Sequence, residues 1–156
     1  MEAKHKQVIK IILNVIFIAY IAILTYFLFF SERYGRDTGL SNYRYNLTLF
    51  KELSRFITYR KQLGLESFIV NIFGNILAFT PFGILLPVVS PDNRKFINVG
   101  LLTLQFSFTI ELLQLIFKVG IFDVDDLFMN TLGGILGYLI FKGFYVLGKR
   151  ILNRSR

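Results

Sequence analysis

Glu111 stands alone among charged side chains in the apolar stretch from Phe96 to Phe117, and Gln114 follows it one helical turn later. A carboxyl group within a membrane-length segment costs about 2.5–3.5 kcal/mol on insertion scales, so such groups usually face a bundle interior and mark functional positions. The chemistry open to it is binding of a polar ligand, proton transfer or general base catalysis. A structural interpretation stays open too, in which a neutral, protonated Glu111 bonds to Gln114 or to an asparagine of a neighbouring helix.

Polar side chains recur at helical spacing in two apolar segments, so each set shares one face of its helix. We expect the two polar stripes to face each other. They consist of Ser67, Asn71, Asn75 and Ala78 in the second segment and of Ser107, Glu111, Gln114 and Lys118 in the third. For the amides, ordinary interhelical hydrogen bonding, worth roughly 0.6–2 kcal/mol each, is the alternative to a role in a ligand site.

Three aspartates, Asp123, Asp125 and Asp126, precede the fourth apolar segment, and Asn130 follows the last of them by one turn. The simplest interpretation is helix capping, because an aspartate before Leu127 can accept bonds from the first free amides of the last helix. A hard cation bound by these oxygens is the alternative, but their spacing does not support it. We therefore predict no metal and no cofactor.

Four membrane-spanning helices are needed to position these residues. Of the 156 residues 54% are hydrophobic, against about 45–50% in soluble domains. A span needs roughly 17–25 mostly apolar residues. The predicted fold is all-α and polytopic, a single domain over residues 1–156, with spans at approximately 9–30, 67–89, 96–117 and 126–148.

The amino-acid composition excludes several kinds of functional site. The chain has no cysteine and one histidine, His5, in the charged tail, so disulfides, thiolate ligands and histidine catalysis within the membrane are excluded.

The first apolar run exceeds the 7–15 residues of a signal peptide and lacks a small-residue cleavage site, so we expect a retained span. Gly133 and Gly137 have the small-xxx-small spacing that lets helices approach closely.

The distribution of basic residues predicts a cell-membrane protein with both termini in the cytoplasm. The basic residues of the tails and the short second loop would then lie inside; they are Lys4, Lys6, Lys10, Arg94, Lys95, Lys142, Lys149, Arg150, Arg154 and Arg156. The extracytoplasmic first loop, residues 31–66, is itself basic, which conflicts with a simple charge rule. Because these cations surround membrane spans, we expect no nucleic-acid partner.

The first loop is predicted to contain an amphipathic helix in the membrane interface, because apolar residues from Leu47 to Leu63 recur at near-helical spacing. Anchoring to anionic headgroups is the simplest role of its cations. The alternative is that Arg44, Lys51 and Arg55 contact an anionic ligand such as a lipid pyrophosphate, which the planar donor fork of arginine suits.

Three blocks in register resemble the VanZ-like family over about residues 46–138. They are the segment Asn71-Ile-Phe-Gly-Asn-Ile-Leu-Ala-Phe-Thr-Pro-Phe-Gly83, the Glu111-Leu-Leu-Gln114 step and the run Phe122-Asp-Val-Asp-Asp-Leu-Phe-Met-Asn130-Thr-Leu-Gly-Gly-Ile-Leu-Gly-Tyr138. The block Asn46-Leu-Thr-Leu-Phe50 is similar to the family's Asn-Leu-x-Pro-Phe, with Leu49 in place of proline. Many relatives carry an arginine where this chain has Gly120-Ile121, a place that Lys118 could fill electrostatically.

The resemblance implies a small bacterial cell-envelope protein associated with resistance to teicoplanin and related lipoglycopeptide antibiotics. It maps functional residues onto Asn75, Glu111, Gln114, Asp123, Asp126 and Asn130, to which the stripe adds Asn71 and the loop adds Arg44, Lys51 and Arg55. Expected partners are membrane lipids together with a cell-wall precursor lipid or the lipoglycopeptide itself; the oligomeric state stays open.

Two other function classes stay open. A membrane-embedded enzyme acting on a lipid-linked precursor would use Glu111 or Asp126 as a general base, although no nucleophile, metal set or phosphate loop accompanies them, so the balance is against an enzyme. A flippase or small transporter would use buried acids as proton or substrate sites. Such folds are usually built from repeats, and the sequence shows none.

Overall fold

The computed structural model describes residues 2–30, 43–51, 54–55, 57–59 and 65–154, of which the side chains of 2–3, 65–68, 70–71 and 154 are left aside. Four long helices dominate it: α1 (Glu2–Phe30), α2 (Leu65–Val89), α3 (Phe96–Ile116) and α4 (Val124–Arg154). A 3₁₀ turn, Pro91–Asn93, joins α2 to α3, and two short strands, β1 (Tyr45–Asn46) and β2 (Phe122–Asp123), complete the fold.

All four helices are long and apolar enough to cross a membrane, which confirms the all-α, polytopic prediction. The fourth helix differs in its ends from the predicted span of 126–148, because it begins at Val124 and continues to Arg154. Its start follows from Asp123, which caps the first turn. Residues 149–154, Lys-Arg-Ile-Leu-Asn-Arg, combine basic and apolar side chains, which suit the membrane surface better than its interior.

Close approach of α2 and α4 forms the tightest helix seam in the bundle. A Cβ atom at Gly133 would overlap the backbone of Ile76, and one at Gly137 would overlap the carbonyl of Thr80. Since both sequence positions increase together along the seam, the two helices run parallel. The small-xxx-small spacing therefore marks a real packing surface.

Aromatic and aliphatic side chains fill the remaining space between the helices. One cluster joins Leu24 and Leu28 of α1 to Phe79 of α2 and Ile110 of α3. The Tyr20 hydroxyl donates a 2.6 Å hydrogen bond to the Ala78 carbonyl, so α1 is also fixed to α2 by a polar contact. These contacts determine which end of each helix meets the first loop.

The first loop docks back onto the connection between α3 and α4. Strands β1 and β2 pair in parallel, with Tyr45 opposite Phe122 and Asn46 opposite Asp123. The described residues that follow, Lys51, 54–55 and 57–59, are helical, in line with the predicted amphipathic helix. The rest of that helix, including Leu53, Phe56 and Leu63, lies outside the described residues.

Candidate functional site

The site lies at the end of the bundle where α1 and α3 finish and where α4 begins, which we call the loop end. Glu111 is 3% exposed, so its carboxyl group faces the bundle interior and not the acyl chains. Its Oε2 atom accepts a 3.1 Å hydrogen bond from the backbone N–H of Asp123. The acid of the third span therefore holds the start of the fourth helix.

Asp123 joins the first loop to the last helix. Its Oδ1 atom accepts a 3.0 Å bond from Nδ2 of Asn46 and a 2.8 Å bond from the backbone N–H of Asp125. The second bond is an N-cap of α4, and a negative charge there also suits the positive end of the helix dipole. Asn46 in turn accepts a 3.3 Å bond from the N–H of Thr48, which shapes the turn after β1.

Asp125 fixes the next part of the loop. Its Oδ1 atom accepts a hydrogen bond from the backbone N–H of Phe50, whose φ of 63° lies in the left-handed region. A non-glycine residue adopts that conformation at a cost, so it persists where surrounding contacts hold it. The Phe50 ring supplies one such contact, packing edge-on against Phe128 with ring centroids 5.2 Å apart.

Asp126 and Asn75 connect α4 to α2 across the seam. Nδ2 of Asn75 donates a 2.6 Å hydrogen bond to Oδ1 of Asp126. Asn75 is buried, whereas Asp126 is only partly buried and so is more accessible than Asp123 and Asp125. We call Asn46, Asn75, Glu111, Asp123, Asp125 and Asp126 the polar cluster.

Two further amides of the predicted site lie apart from the cluster. Nδ2 of Asn130 donates a 2.9 Å bond to the Ser107 hydroxyl, deeper in the bundle. Nε2 of Gln114 donates a 2.9 Å bond to the Leu28 carbonyl at the end of α1, and its side chain packs against Gly120. Gln114 therefore ties α1 to α3, which is interhelical hydrogen bonding of the ordinary kind.

Side chains of both polar stripes contact α4. Asn75 of α2 bonds to Asp126 and Ser107 of α3 bonds to Asn130, whereas Gln114 bonds to the end of α1. That the two stripes face each other stays a prediction, because the side chains of Ser67 and Asn71 lie outside the described residues. Lys118 leaves the stripe altogether, because α3 ends at Ile116 and the lysine ammonium lies 4.8 Å from the ring centroid of Tyr43.

The comparisons with known proteins agree with this architecture. The family model VanZ/LLP1 matches residues 17–147, a range that contains the whole polar cluster. Protein VanZ from Enterococcus faecium is 32% identical over 124 residues, covering 70% of this chain and 71% of that protein. The chain belongs to the VanZ/LLP1 family. No solved structure matches it.

In this VanZ/LLP1 protein the three predicted loop cations are exposed beside the cluster. Arg44 directly precedes β1, and its carbonyl accepts a 3.1 Å bond from the N–H of Phe122. Lys51 and Arg55 lie on the helical part of the loop. The structure thus brings these cations to the loop end. The side chain of Asn71, one turn before Asn75, lies outside the described residues.

Sequence reasoning missed Asn46 and Asp125 as members of the site in this VanZ/LLP1 protein. Both sit in the resembling blocks, yet their roles depend on a strand pair of two residues per strand, which leaves no periodic signal. What the cluster offers chemically is a set of carboxylate and amide groups beside guanidinium and ammonium groups. No three His, Cys, Asp or Glu side chains within the described ranges are placed to hold a metal ion.

Proposed function

We propose that this VanZ/LLP1 protein binds the polar headgroup of a lipid-linked cell-wall precursor at the outer face of the membrane and so lowers susceptibility to teicoplanin and related lipoglycopeptides. The observation that supports it most is the partly buried Asp126, paired with Asn75 at the loop end, beneath a docked basic loop. The antibiotic part comes from the family to which the chain belongs.

The chemistry of such a headgroup suits the mixed charge of the loop end. Its pyrophosphate is a ligand for Arg44, Lys51 and Arg55, since arginine and lysine form charge-assisted hydrogen bonds to phosphate oxygens. Its sugar hydroxyls and peptide N–H groups are donors for a carboxylate such as Asp126. A site with cations on one side and carboxylates on the other distinguishes this ligand from a simple phospholipid.

The orientation that we propose follows from the distribution of cations. The end opposite the site holds Arg94 and Lys95 together with Lys4, Lys6 and Lys10 of α1 and Lys149 and Arg150 of α4. Because positive residues near spans favour the cytoplasm, we propose that both termini lie inside and the loop end outside. Precursor bound there would be withdrawn from antibiotic capture, because a headgroup held by the protein is no longer free to bind the antibiotic.

The proposal can be tested by measuring antibiotic susceptibility in a teicoplanin-susceptible Gram-positive host that lacks other members of the family. Expression of the chain should raise the teicoplanin minimum inhibitory concentration several-fold over the empty vector. Asp126→Ala should return it to the vector value, while Asp92→Ala, which removes an exposed acid at the opposite end, should keep the increase at matched membrane expression. If Asp126→Ala still gave full protection, the polar cluster would have no part in the function.

A direct binding assay tests the proposed ligand independently of antibiotic susceptibility. Purified protein in detergent should retain a labelled undecaprenyl-linked precursor, and Asp126→Ala should lose most of that retention. Conversion of the labelled precursor into another product would instead identify an enzyme and overturn the binding proposal.

A further inference from the structure

Arg94, at the end of the bundle opposite the polar cluster, has a fixed position although its side chain is exposed. Its Nε atom donates a 2.8 Å bond to the Pro87 carbonyl, and its own carbonyl accepts a 3.0 Å bond from the Tyr138 hydroxyl. The guanidinium carbon lies 5.5 Å from the ring centroid of Tyr145, within cation–π range. Pro87 of α2 and Tyr145 of α4 thus orient the guanidinium group, while Tyr138 of α4 fixes the backbone that carries it.

One face of α4 presents two more cations toward Arg94. Tyr138, Lys142, Tyr145 and Lys149 follow intervals of four, three and four residues, so they share a helix face. Both tyrosines of that face contact Arg94, which shows that the face looks toward the connection between α2 and α3. Lys142 and Lys149 are exposed on the same side.

The other side of this part of α4 is apolar. Phe144 is 73% exposed and Ile151 is 69% exposed, and with Ile140 and Leu147 they form a ridge at helical spacing. Such a ridge lies against acyl chains while long cationic side chains reach the headgroups. The long cationic side chains on the opposite side can therefore extend to the phosphates of the headgroups.

We propose that Arg94, Lys142 and Lys149 bind the phosphate of an anionic phospholipid between α4 and the α2–α3 connection, with the ring of Tyr145 positioning Arg94. With Nε bonded to Pro87, the terminal amino groups of Arg94 remain for the phosphate oxygens. Asp92 lies in the same connection, but three cations against one acid leave a positive surface. A zwitterionic lipid fits less well, because its own ammonium already neutralises its phosphate. This site is separate from the loop end and does not depend on the proposed function.

Native mass spectrometry of the full chain, released from mixed micelles, tests the site with two lipids of equal acyl chains, phosphatidylglycerol and phosphatidylcholine. The parent protein should retain phosphatidylglycerol preferentially. Removing two cations in Arg94→Gln/Lys149→Gln should weaken that binding roughly 25-fold, from about fivefold for each cation at a membrane surface. Lys4→Gln/Lys10→Gln removes the same charge from exposed positions at the start of α1 and should leave the preference at the parent level.

A second pair of variants distinguishes a built site from general electrostatic attraction. Tyr145→Leu keeps every charge but removes the ring beneath Arg94, and we expect binding several-fold weaker than in Tyr145→Phe, which keeps the ring. Circular dichroism and gel filtration establish that each variant is folded, and the Tyr145 pair decides the matter if the double variant is not. Equal phosphatidylglycerol retention by Tyr145→Leu and the parent, or loss of preference in the Lys4→Gln/Lys10→Gln variant alone, would overturn the site.

Discussion

At the scale of single residues, several polar side chains inside this bundle bond to partners far away in sequence. Asn46 and Asp123 lie 77 positions apart, and Asn75 and Asp126 lie 51 apart. A buried donor or acceptor left unpaired costs about 1–3 kcal/mol, so each pair strongly favours one arrangement of helices. The pairs therefore specify the bundle as well as forming the candidate site.

Ser107 provides the sharpest test of a structural polar contact. Asn130 is 2% exposed, and within the described part of the chain its Oδ1 atom has no hydrogen-bond partner. The buried amide therefore depends on the hydrogen bond that its Nδ2 atom donates to the Ser107 hydroxyl. Ser107→Ala should lower the free energy of unfolding by about 1–2 kcal/mol. Denaturation by sodium dodecyl sulfate in mixed micelles measures it.

Thr109→Ala is the matched control for that measurement. Thr109 is exposed on the same helix, and its hydroxyl only bonds back to the Gln105 carbonyl one turn earlier. Its loss should change stability by less than about 0.5 kcal/mol. If the two variants unfold alike, the Ser107 contact does not stabilise the bundle.

Helical spacing predicted the buried side of α3 from sequence, because Ser107, Glu111 and Gln114 all turn inward. It could not predict their partners. Spacing gives only a direction from one helix axis, whereas the partner depends on which neighbouring helix lies there. That choice is made by the glycine seam and by a strand pair too short to detect.

At the scale of elements, the parallel seam between α2 and α4 determines where the candidate site can form. Gly133 and Gly137 allow backbone contact with Ile76 and Thr80, and this contact sets Asn75 level with Asp126. Larger side chains would separate the helices and with them the two polar residues. Packing of small residues, instead of hydrophobic driving force, holds such helix pairs together in lipid.

Gly137→Ala tests the seam against Gly143→Ala. A methyl group at Gly137 meets the Thr80 carbonyl, while one at Gly143 meets no atom within 4 Å. We expect Gly137→Ala to destabilise the bundle by about 1–3 kcal/mol through overpacking and Gly143→Ala to stabilise it by about 0.4–1 kcal/mol, because alanine favours the helix and meets no neighbour there. Thermal melting of the purified variants, followed by circular dichroism, measures both; similar midpoints would contradict the seam.

At the scale of the whole molecule, its two ends have different chemistry. The loop end gathers the buried acids and amides of the polar cluster, while the opposite end gathers Arg94 and the basic face of α4. This polarity underlies the proposed orientation, with both termini in the cytoplasm. The four spans followed from segment length and hydrophobicity alone, because the bilayer imposes both.

Single cysteines test that orientation cleanly, since the chain has none of its own. Arg44→Cys and Lys95→Cys place thiols at exposed positions near opposite ends of the bundle. In intact cells a membrane-impermeant maleimide should label Arg44→Cys and should reach Lys95→Cys only after the cells are permeabilised. The reverse pattern would place the polar cluster in the cytoplasm and rule out an extracytoplasmic ligand.

The pairing of β1 with β2 also determines when the loop end can form during synthesis of the chain. Asn46 leaves the ribosome well before Asp123, so β1 has no strand partner until the connection between α3 and α4 has been made. Formation of the loop end is thus coupled to near-completion of the chain. A translation product stopped before β2 carries a first loop that lacks both its strand partner and its hydrogen bond to Asp123.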